Sequence, residues 1–254
     1  MTLTSIIIPT YNGLELLKSC IAAIRRHTDD ATPYEIVVAD NGSTDGTASF
    51  CASERIRFVR LPANRGFPAA CNAGMRAACG DDLLLLNNDV TVTPRWLRNL
   101  HAALHSDAGI GIVGPMTNYA SGIQQVNVDF RDMEHFQELA AVNNQPDPGR
   151  WREVQRIVGL CMMFRRDMME NVGLLDEAYS PGHYEDDDYC YRARLAGYRL
   201  LACGDVLVHH QGSASFKKTD RDQWNRLIER NRKLFIHKWK VDPLDYVDHQ
   251  TKEG

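Results

Sequence analysis

The chain has 254 residues, 44% of them hydrophobic and 24% charged, with a formal net charge of -4. That length allows one large core, or one core with a small subdomain, and the composition is that of an ordinary globular protein. The negative balance argues against a nucleic-acid partner, and seven scattered cysteines without a C-x-x-C pair disfavour zinc ribbons and thioredoxin-like redox motifs.

The first half alternates two periodicities. Ser5–Pro9 is a short β-branched strand, and Leu14–His27 carries Leu14, Leu17, Ile21 and Ile24 at helical spacing. Glu35–Asp40 is the second strand, and Ser43-Thr44-Asp45-Gly46 leads into a second helix. Ile56–Leu61 and Phe67–Ala78 follow as strand and helix. Leu83–Asn87 is a strand with leucines on both faces, and Pro94–Ser106 is a helix with proline at its start. Ile110–Val113 closes the series, which implies right-handed βαβ units and a mostly parallel sheet.

After Pro115 the pattern loosens. Met116–Phe130 reads as a polar loop, Arg131–Val142 as a helix, Asn143–Gly149 as a loop and Ile157–Phe164 as a strand. Glu185–Ala196 reads as a helix, then Arg199–Ala202 and Val206–Val208 as two short strands. Trp224, Leu227, Ile228, Leu234, Phe235 and Trp239 share one face of a last, basic helix. Between Lys217 and Lys240 there are nine Lys/Arg and three Asp/Glu, so the rest of the chain is markedly acidic. The stretch at Ile6-Ile7-Ile8 is too short for a signal peptide, and no apolar run approaches membrane-spanning length. Free core thiols then fit a soluble protein of the reducing cytoplasm.

Polar residues collect where strands end. Strand one runs into Pro9-Thr10-Tyr11-Asn12-Gly13, strand two into Asp40-Asn41-Gly42-Ser43-Thr44-Asp45, and the loop after strand three reads Asn64-Arg65-Gly66. In an open α/β sheet such ends share one crevice, the usual ligand site. Tyr11 suits stacking on a base, Asp40 accepting from a base N–H, and Arg65 pairing with a phosphate. The same residues also read as ordinary turns and caps. Leu83-Leu84-Leu85-Leu86 stops at Asn87-Asn88-Asp89, where a lone carboxylate among neutral oxygen donors suits a hard divalent cation that also holds a phosphate. An Asx turn is the plainer alternative. No G-x-G-x-x-G follows strand one, and neither a P-loop nor a G-x-S-x-G elbow occurs. That removes Rossmann dehydrogenases, P-loop hydrolases and α/β-hydrolases.

Two further clusters carry chemistry. Glu185-Asp186-Asp187-Asp188 places four acids at a helix start, more than capping needs; crowding raises at least one pKa, which suits a general base. A solvated acidic helix start is the alternative. His209-His210 ends an apolar strand before Gly212-Ser213, a setting for a metal ligand on a mobile loop that favours manganese over magnesium, or for a structural histidine pair.

Taken together these residues resemble family 2 glycosyltransferases of the GT-A fold. The resemblance runs from Ser5 to about Phe216 and rests on Ile8–Asn12, Val38–Gly46, Asn64-Arg65-Gly66, Asn72-Ala73-Gly74, Leu86–Asp89, Gly173–Glu177 and Tyr184–Asp188. It implies an α/β fold of GT-A type: a mostly parallel central sheet flanked by helices, Rossmann-like in its N-terminal half, with a mixed acceptor-side C-terminal half. It implies one domain over 1–254, divided into a nucleotide-sugar-binding half (1–115), an acceptor and catalytic half (116–216), and a basic helix with a tail (217–254). The implied reaction is inverting transfer of a sugar from a UDP or dTDP donor, in the biosynthesis of cell-surface glycans.

The resemblance also distributes roles. Pro9, Thr10, Tyr11, Asn12, Asp40, Asn41, Arg65, Asn72, Asn87 and Asn88 would line the nucleotide sugar. Asp89 and His209 would hold Mn2+ or Mg2+, with His210 the alternative ligand; Asn87 replaces the first acid of the family's D-x-D motif and removes one charge. Asp186 would be the catalytic base, Glu185 the second candidate, and Asp188 would position an acceptor or a neighbour. Lys217, on a loop from Gly212 to Lys218 that closes over the donor, would reach the diphosphate or simply start a solvated helix. The acceptor would be a carbohydrate, a lipid-linked glycan or a protein, with no nucleic acid involved. The basic helix would either pack on the core or rest peripherally on the inner face of a membrane. The rival readings are a nucleotidyltransferase, disfavoured by a Thr10–Glu15 loop that is neither Gly-rich nor basic, and a glycosyltransferase-like domain that binds nucleotide or carbohydrate without turnover.

Overall fold

The computed structural model describes residues 2–29, 31–212 and 221–246, so Lys217 and residues 213–218 of the expected closing loop lie outside the described residues. Strands β1 (Thr4–Thr10), β2 (Tyr34–Asp40), β3 (Arg57–Arg60) and β4 (Asp82–Leu86) alternate with helices α1 (Leu14–His27), α2 (Thr47–Ser53) and α3 (Phe67–Ala77). These four strands lie in the order β3-β2-β1-β4 and all their pairings are parallel.

The leucine run of β4 is wholly buried because helices cover both faces of the sheet. Leu84 and Leu86 join Ile6, Ile8, the apolar face of α1 and helix α4 (Trp96–Leu104) in one core. Leu83 and Leu85 join Ile7 and Cys71 and Met75 of α3 in the other. The two-residue period of the strand thus feeds two cores at once. Helix α3 sits close to the sheet at Gly74, where a Cβ would stand 2.3 Å from Ile7 Cγ2 and 3.3 Å from Ala39 Cβ. Gly74→Ala is therefore expected to destabilise by about 1–3 kcal/mol despite its better helix propensity; an unchanged midpoint in thermal unfolding would refute the tight contact.

Past β4 the sheet turns mixed. Strand β6 (Ile110–Thr117) does not join β4; β8 (Cys161–Arg165) inserts antiparallel between them. β9 (Arg199–His210) runs parallel to β6, and short β7 (Trp151–Val154) and β5 (Val90–Thr91) pair antiparallel with β9. Helices α5 (Met133–Asn143), α6 (Arg166–Val172) and α7 (Glu185–Leu195) flank this half.

Two strands differ from the sequence expectation. β9 is one strand, not two: residues 204–206 bulge between the Pro115–Cys203 and Met116–Leu207 pairs with β6. β8 begins only at Cys161, because the preceding amides are used elsewhere: Ile157 N–H donates to Cys190 Sγ, Val158 N–H to Gln124 Oε1 and Gly159 N–H to Asp186 Oδ2. The last helix, α8 (Arg221–Trp239), packs on α7, with Phe235 and Trp239 against Tyr191 at ring distances of 5.7 and 5.0 Å. Among the described residues no helix is long and apolar enough to cross a membrane.

Candidate active site

The carboxyl ends of β1, β2 and β4 are stitched together by their own turns. Asn12, at φ 47°, donates its N–H to Ser43 Oγ (2.9 Å) and accepts from Thr44 N–H through Oδ1 (2.8 Å). Asn88 donates to Thr10 Oγ1 at 2.9 Å, so β1 and β4 are tied where they end. Asp40 is fully buried; its Oδ1 accepts from Ser43 N–H, and its Oδ2 faces Arg60 Nε at 3.4 Å without accepting a hydrogen bond. Tyr11 stands exposed above this edge.

Three asparagines expected on the nucleotide sugar are engaged in bracing the chain. Asn41 holds the loop after β3, donating to Asn64 Oδ1 and Gly66 O and accepting from Arg65 N–H. Asn72 bonds both ways with Leu175 and also reaches Glu177. Asn88 carries the Thr10 bond. The physical reason is common to all three: a primary amide at a buried junction satisfies backbone and polar groups that would otherwise be orphaned. Asn87 differs, since its Oδ1 is buried with no partner.

The two candidate histidine ligands stand in different surroundings. His210, not His209, stands beside Asp89, with Nε2 at 3.3 Å from Asp89 Oδ1. Successive residues of a strand face opposite ways, and β9 extends through both histidines. His209 points between Phe130 and Phe136, at ring distances of 5.5 and 5.2 Å, and burial lowers its pKa. His210 donates Nδ1–H to the Tyr119 carbonyl at 2.8 Å, which directs Nε2 to Asp89. Burial works against charge on His210, but the bond to Asp89 outweighs it and raises its pKa. The Asp89–His210 pair joins a carboxylate oxygen to an imidazole nitrogen, a pairing that could hold a divalent cation.

The acid cluster is not a solvated helix start. All four of Glu185, Asp186, Asp187 and Asp188 are buried. Asp186 Oδ2 accepts from Gly159 N–H (2.9 Å) and Oδ1 from Asp187 N–H (3.0 Å). Burial pushes the Glu185 carboxyl well above its usual range, with Asp186 adding to it, and Glu185 Oε2 has no hydrogen-bond partner. Burial likewise pushes Asp187 up to about 7, against the pull of Arg156, whose Nε lies 3.0 Å from its Oδ1. Asp188 faces away from these: Oδ1 accepts from Lys238 Nζ and Trp239 Nε1, both at 2.8 Å, and Oδ2 from Arg192 Nε at 2.8 Å. Its bonds to Lys238 and Trp239 tie α7 to helix α8.

Two backbone links bring this cluster to the strand ends. The segment 158–160 accepts Asn87 N–H at Leu160 O (2.8 Å) while its Gly159 N–H holds Asp186. The Asn64–Phe67 loop docks on the turn before α7 through Phe67 N–H to Pro181 O (2.8 Å) and Ser180 Oγ to Arg65 O (3.0 Å). Gly66, at φ 91°, has no space for a side chain there, since a Cβ would lie 2.8 Å from Pro181 Cα. Arg65 itself pairs with Glu177 at 3.2 Å and is largely exposed. Gly159 and Tyr119 act through main-chain atoms, which residue type does not reveal, and Arg156 carries no motif that would mark it.

Comparison with known proteins gives three kinds of likeness. The family model described as Glycosyl transferase family 2 matches residues 5–173, from β1 to the end of α6, and stops short of the acid cluster. The low-salt glycan biosynthesis hexosyltransferase Agl10 of Haloferax volcanii is 25% identical over 252 residues, 97% of this chain and 80% of that protein. The uncharacterized protein y4gI of Sinorhizobium fredii is 26% identical over 97% of this chain, which spans only 28% of that relative's length. Among solved structures, the mannosyltransferase PcManGT of Pyrobaculum calidifontis, in complex with GDP-Man and Mn2+, has a TM-score of 0.66 at 22% identity, over 94% of this chain and 64% of its own. That likeness establishes a shared GT-A fold.

Proposed function

The chain belongs to glycosyl transferase family 2, and on that premise we propose that it moves a sugar from a nucleoside diphosphate donor to an acceptor hydroxyl with inversion at the anomeric carbon. One observation carries the reading: segment 158–160 joins the Asn87–Asp89 strand end to the carboxylate of Asp186 through two backbone hydrogen bonds. A donor-side cation site and a base candidate therefore share one edge of the sheet. Residues 1–254 act as one unit, with 1–115 holding the donor, 116–216 shaping the acceptor side and 217–254 supporting it.

Tyr11 and Asp40 Oδ2 take the base, Pro9, Thr10 and Asn12 form the floor beneath it, and Arg65 reaches the phosphates. Asp89 and His210 would hold Mn2+ or Mg2+, with Asn87 at the same strand end. The cation, when bound, neutralises the charge that gathers on the departing diphosphate. Asp186 takes the proton of the acceptor hydroxyl as that oxygen attacks the face opposite the leaving group. Two backbone N–H donors fix its carboxylate in one orientation. Glu185, buried and biased toward its neutral form, limits the charge packed around that base.

Calorimetry with uridine, thymidine and guanosine diphosphates, with and without Mn2+, tests the donor site. Mn2+-dependent binding of one diphosphate is expected in the wild type. Asp89→Ala and His210→Ala should each weaken it about 10–100-fold, and His209→Ala should change it little. No diphosphate binding by folded wild type would favour a carbohydrate-binding module without turnover. Loss in His209→Ala alone would return the metal to that residue.

A further inference from the structure

At the opposite edge of the sheet, three side chains outside the donor site converge. Asp82 opens β4 and is almost fully buried. His101 lies on α4, and His105 is the first residue beyond its end, one turn further along the same face. His105 Nε2 stands 2.8 Å from Asp82 Oδ2, and His101 Nε2 stands 3.5 Å from the same oxygen. The two imidazole rings lie 4.4 Å apart and are tilted by only 35°. All three ligand atoms fall within 4.8 Å of one another. The second oxygen of the carboxylate, Asp82 Oδ1, is buried with no hydrogen-bond partner among the described residues. Thr2 Oγ1 lies 2.6 Å from His101 Nε2.

We propose that Asp82, His101 and His105 form a structural zinc-class site, separate from the donor site. The donor set decides the metal: two imidazoles and one carboxylate suit Zn2+, not the all-oxygen cages of Mg2+ or Ca2+. In a tetrahedral zinc site with bonds of about 2.0–2.1 Å, neighbouring ligand atoms stand about 3.3 Å apart. The two Asp82–histidine distances bracket that value. Three protein ligands leave a fourth position for a water or for the Thr2 hydroxyl.

Location separates this site from the chemistry. β4 alone holds its two ends about 13 Å apart, so an ion on Asp82 does not reach a diphosphate held at Asp89. Such an ion would cross-link the buried start of β4 to the end of α4, and the Thr2 segment as well where its hydroxyl takes the fourth position. An orphaned carboxylate oxygen at a buried position is costly to leave unpaired. A bidentate or shared metal bond would satisfy it without moving the backbone.

Titration of Zn2+ alone into EDTA-treated, dialysed protein, against a chromophoric chelator, tests the proposal. One tight equivalent per chain is expected, with a rise in Tm of roughly 5–10 °C at a hundredfold excess of zinc over its Kd. His101→Gln with His105→Gln should lose both the equivalent and the zinc-dependent shift, the latter read against the variant's own Tm in EDTA. Both histidines are partly exposed, so this pair keeps the fold in place even where Asp82 variants fail. Asp89→Asn with His210→Gln should keep the zinc equivalent. Absence of a zinc equivalent in the wild type, its survival in the histidine pair variant, or its loss in the Asp89/His210 variant would each overturn the assignment.

Discussion

Asp186→Asn is expected to lower kcat by roughly 10²–10⁴ while donor affinity stays within about twofold. The amide matches the carboxylate in size, and its oxygen can still accept the Gly159 N–H that holds Asp186 Oδ2 at 2.9 Å. What is lost is the capacity to take a proton, together with the bond from Asp187 N–H, because a second amide hydrogen now faces that donor. The structural cost is then about 1 kcal/mol, small beside the expected loss of rate. Single-turnover measurement at saturating donor reads the chemical step directly, and calorimetry reads the donor site independently. Turnover within a few fold of wild type would shift the base to Glu185, whose buried Oε2 accepts no hydrogen bond among the described residues. The same assay with Glu185→Gln would then show the fall.

Asp188→Ala should act on the fold, with a loss of about 3–5 kcal/mol and a Tm lower by roughly 6–15 °C for a chain of this size. Asp188 is fully buried, and three donors at 2.8 Å converge on it from Arg192, Lys238 and Trp239, with Tyr179 OH at 3.4 Å. Removing it leaves a guanidinium and an indole N–H facing a void. Part of the loss is offset: Arg192 keeps its bonds to Val172 O and Leu174 O, and Lys238 keeps Asp176. Asp188→Asn should fall in between, since it keeps the shape and loses the charge. Activity should decline with stability and recover on cooling, unlike the loss in Asp186→Asn. A Tm within a degree of wild type would mean that α8 is anchored elsewhere.

The first half of the fold was legible because each element there is coded locally. Leu14–His27 carries a helical stripe, the β4 leucines an unbroken apolar run, and glycines and prolines mark the joints. The insertion of β8 between β4 and β6 was not legible, since partner choice within a sheet leaves no trace in periodicity. α6, β5 and β7 are too short to show a pattern. The site divides in the same way. Residue types at strand ends pointed to one crevice, but the choice between His209 and His210 turned on whether β9 continues for two more residues. Asn41 and Asn72 look alike as ligand contacts and as braces, because an amide offers the same donors to a nucleotide and to a carbonyl. The role of Asp188 depended on α8, some fifty residues away in sequence, and no local signal carries that.

Asn231 has a consequence for how such a chain can be divided. Its amide nitrogen lies 2.7–2.9 Å from the carbonyls of Tyr179, Gly182 and His183. That turn includes His183 and Tyr184 at φ 73° and 71°, two successive left-handed residues that hold only where the surrounding structure over-determines them. The last helix and the acid run therefore depend on one another structurally, through the turn that Asn231 braces. Recombination between relatives that joined a new C-terminal helix to this sheet would exchange the support of the base along with the helix.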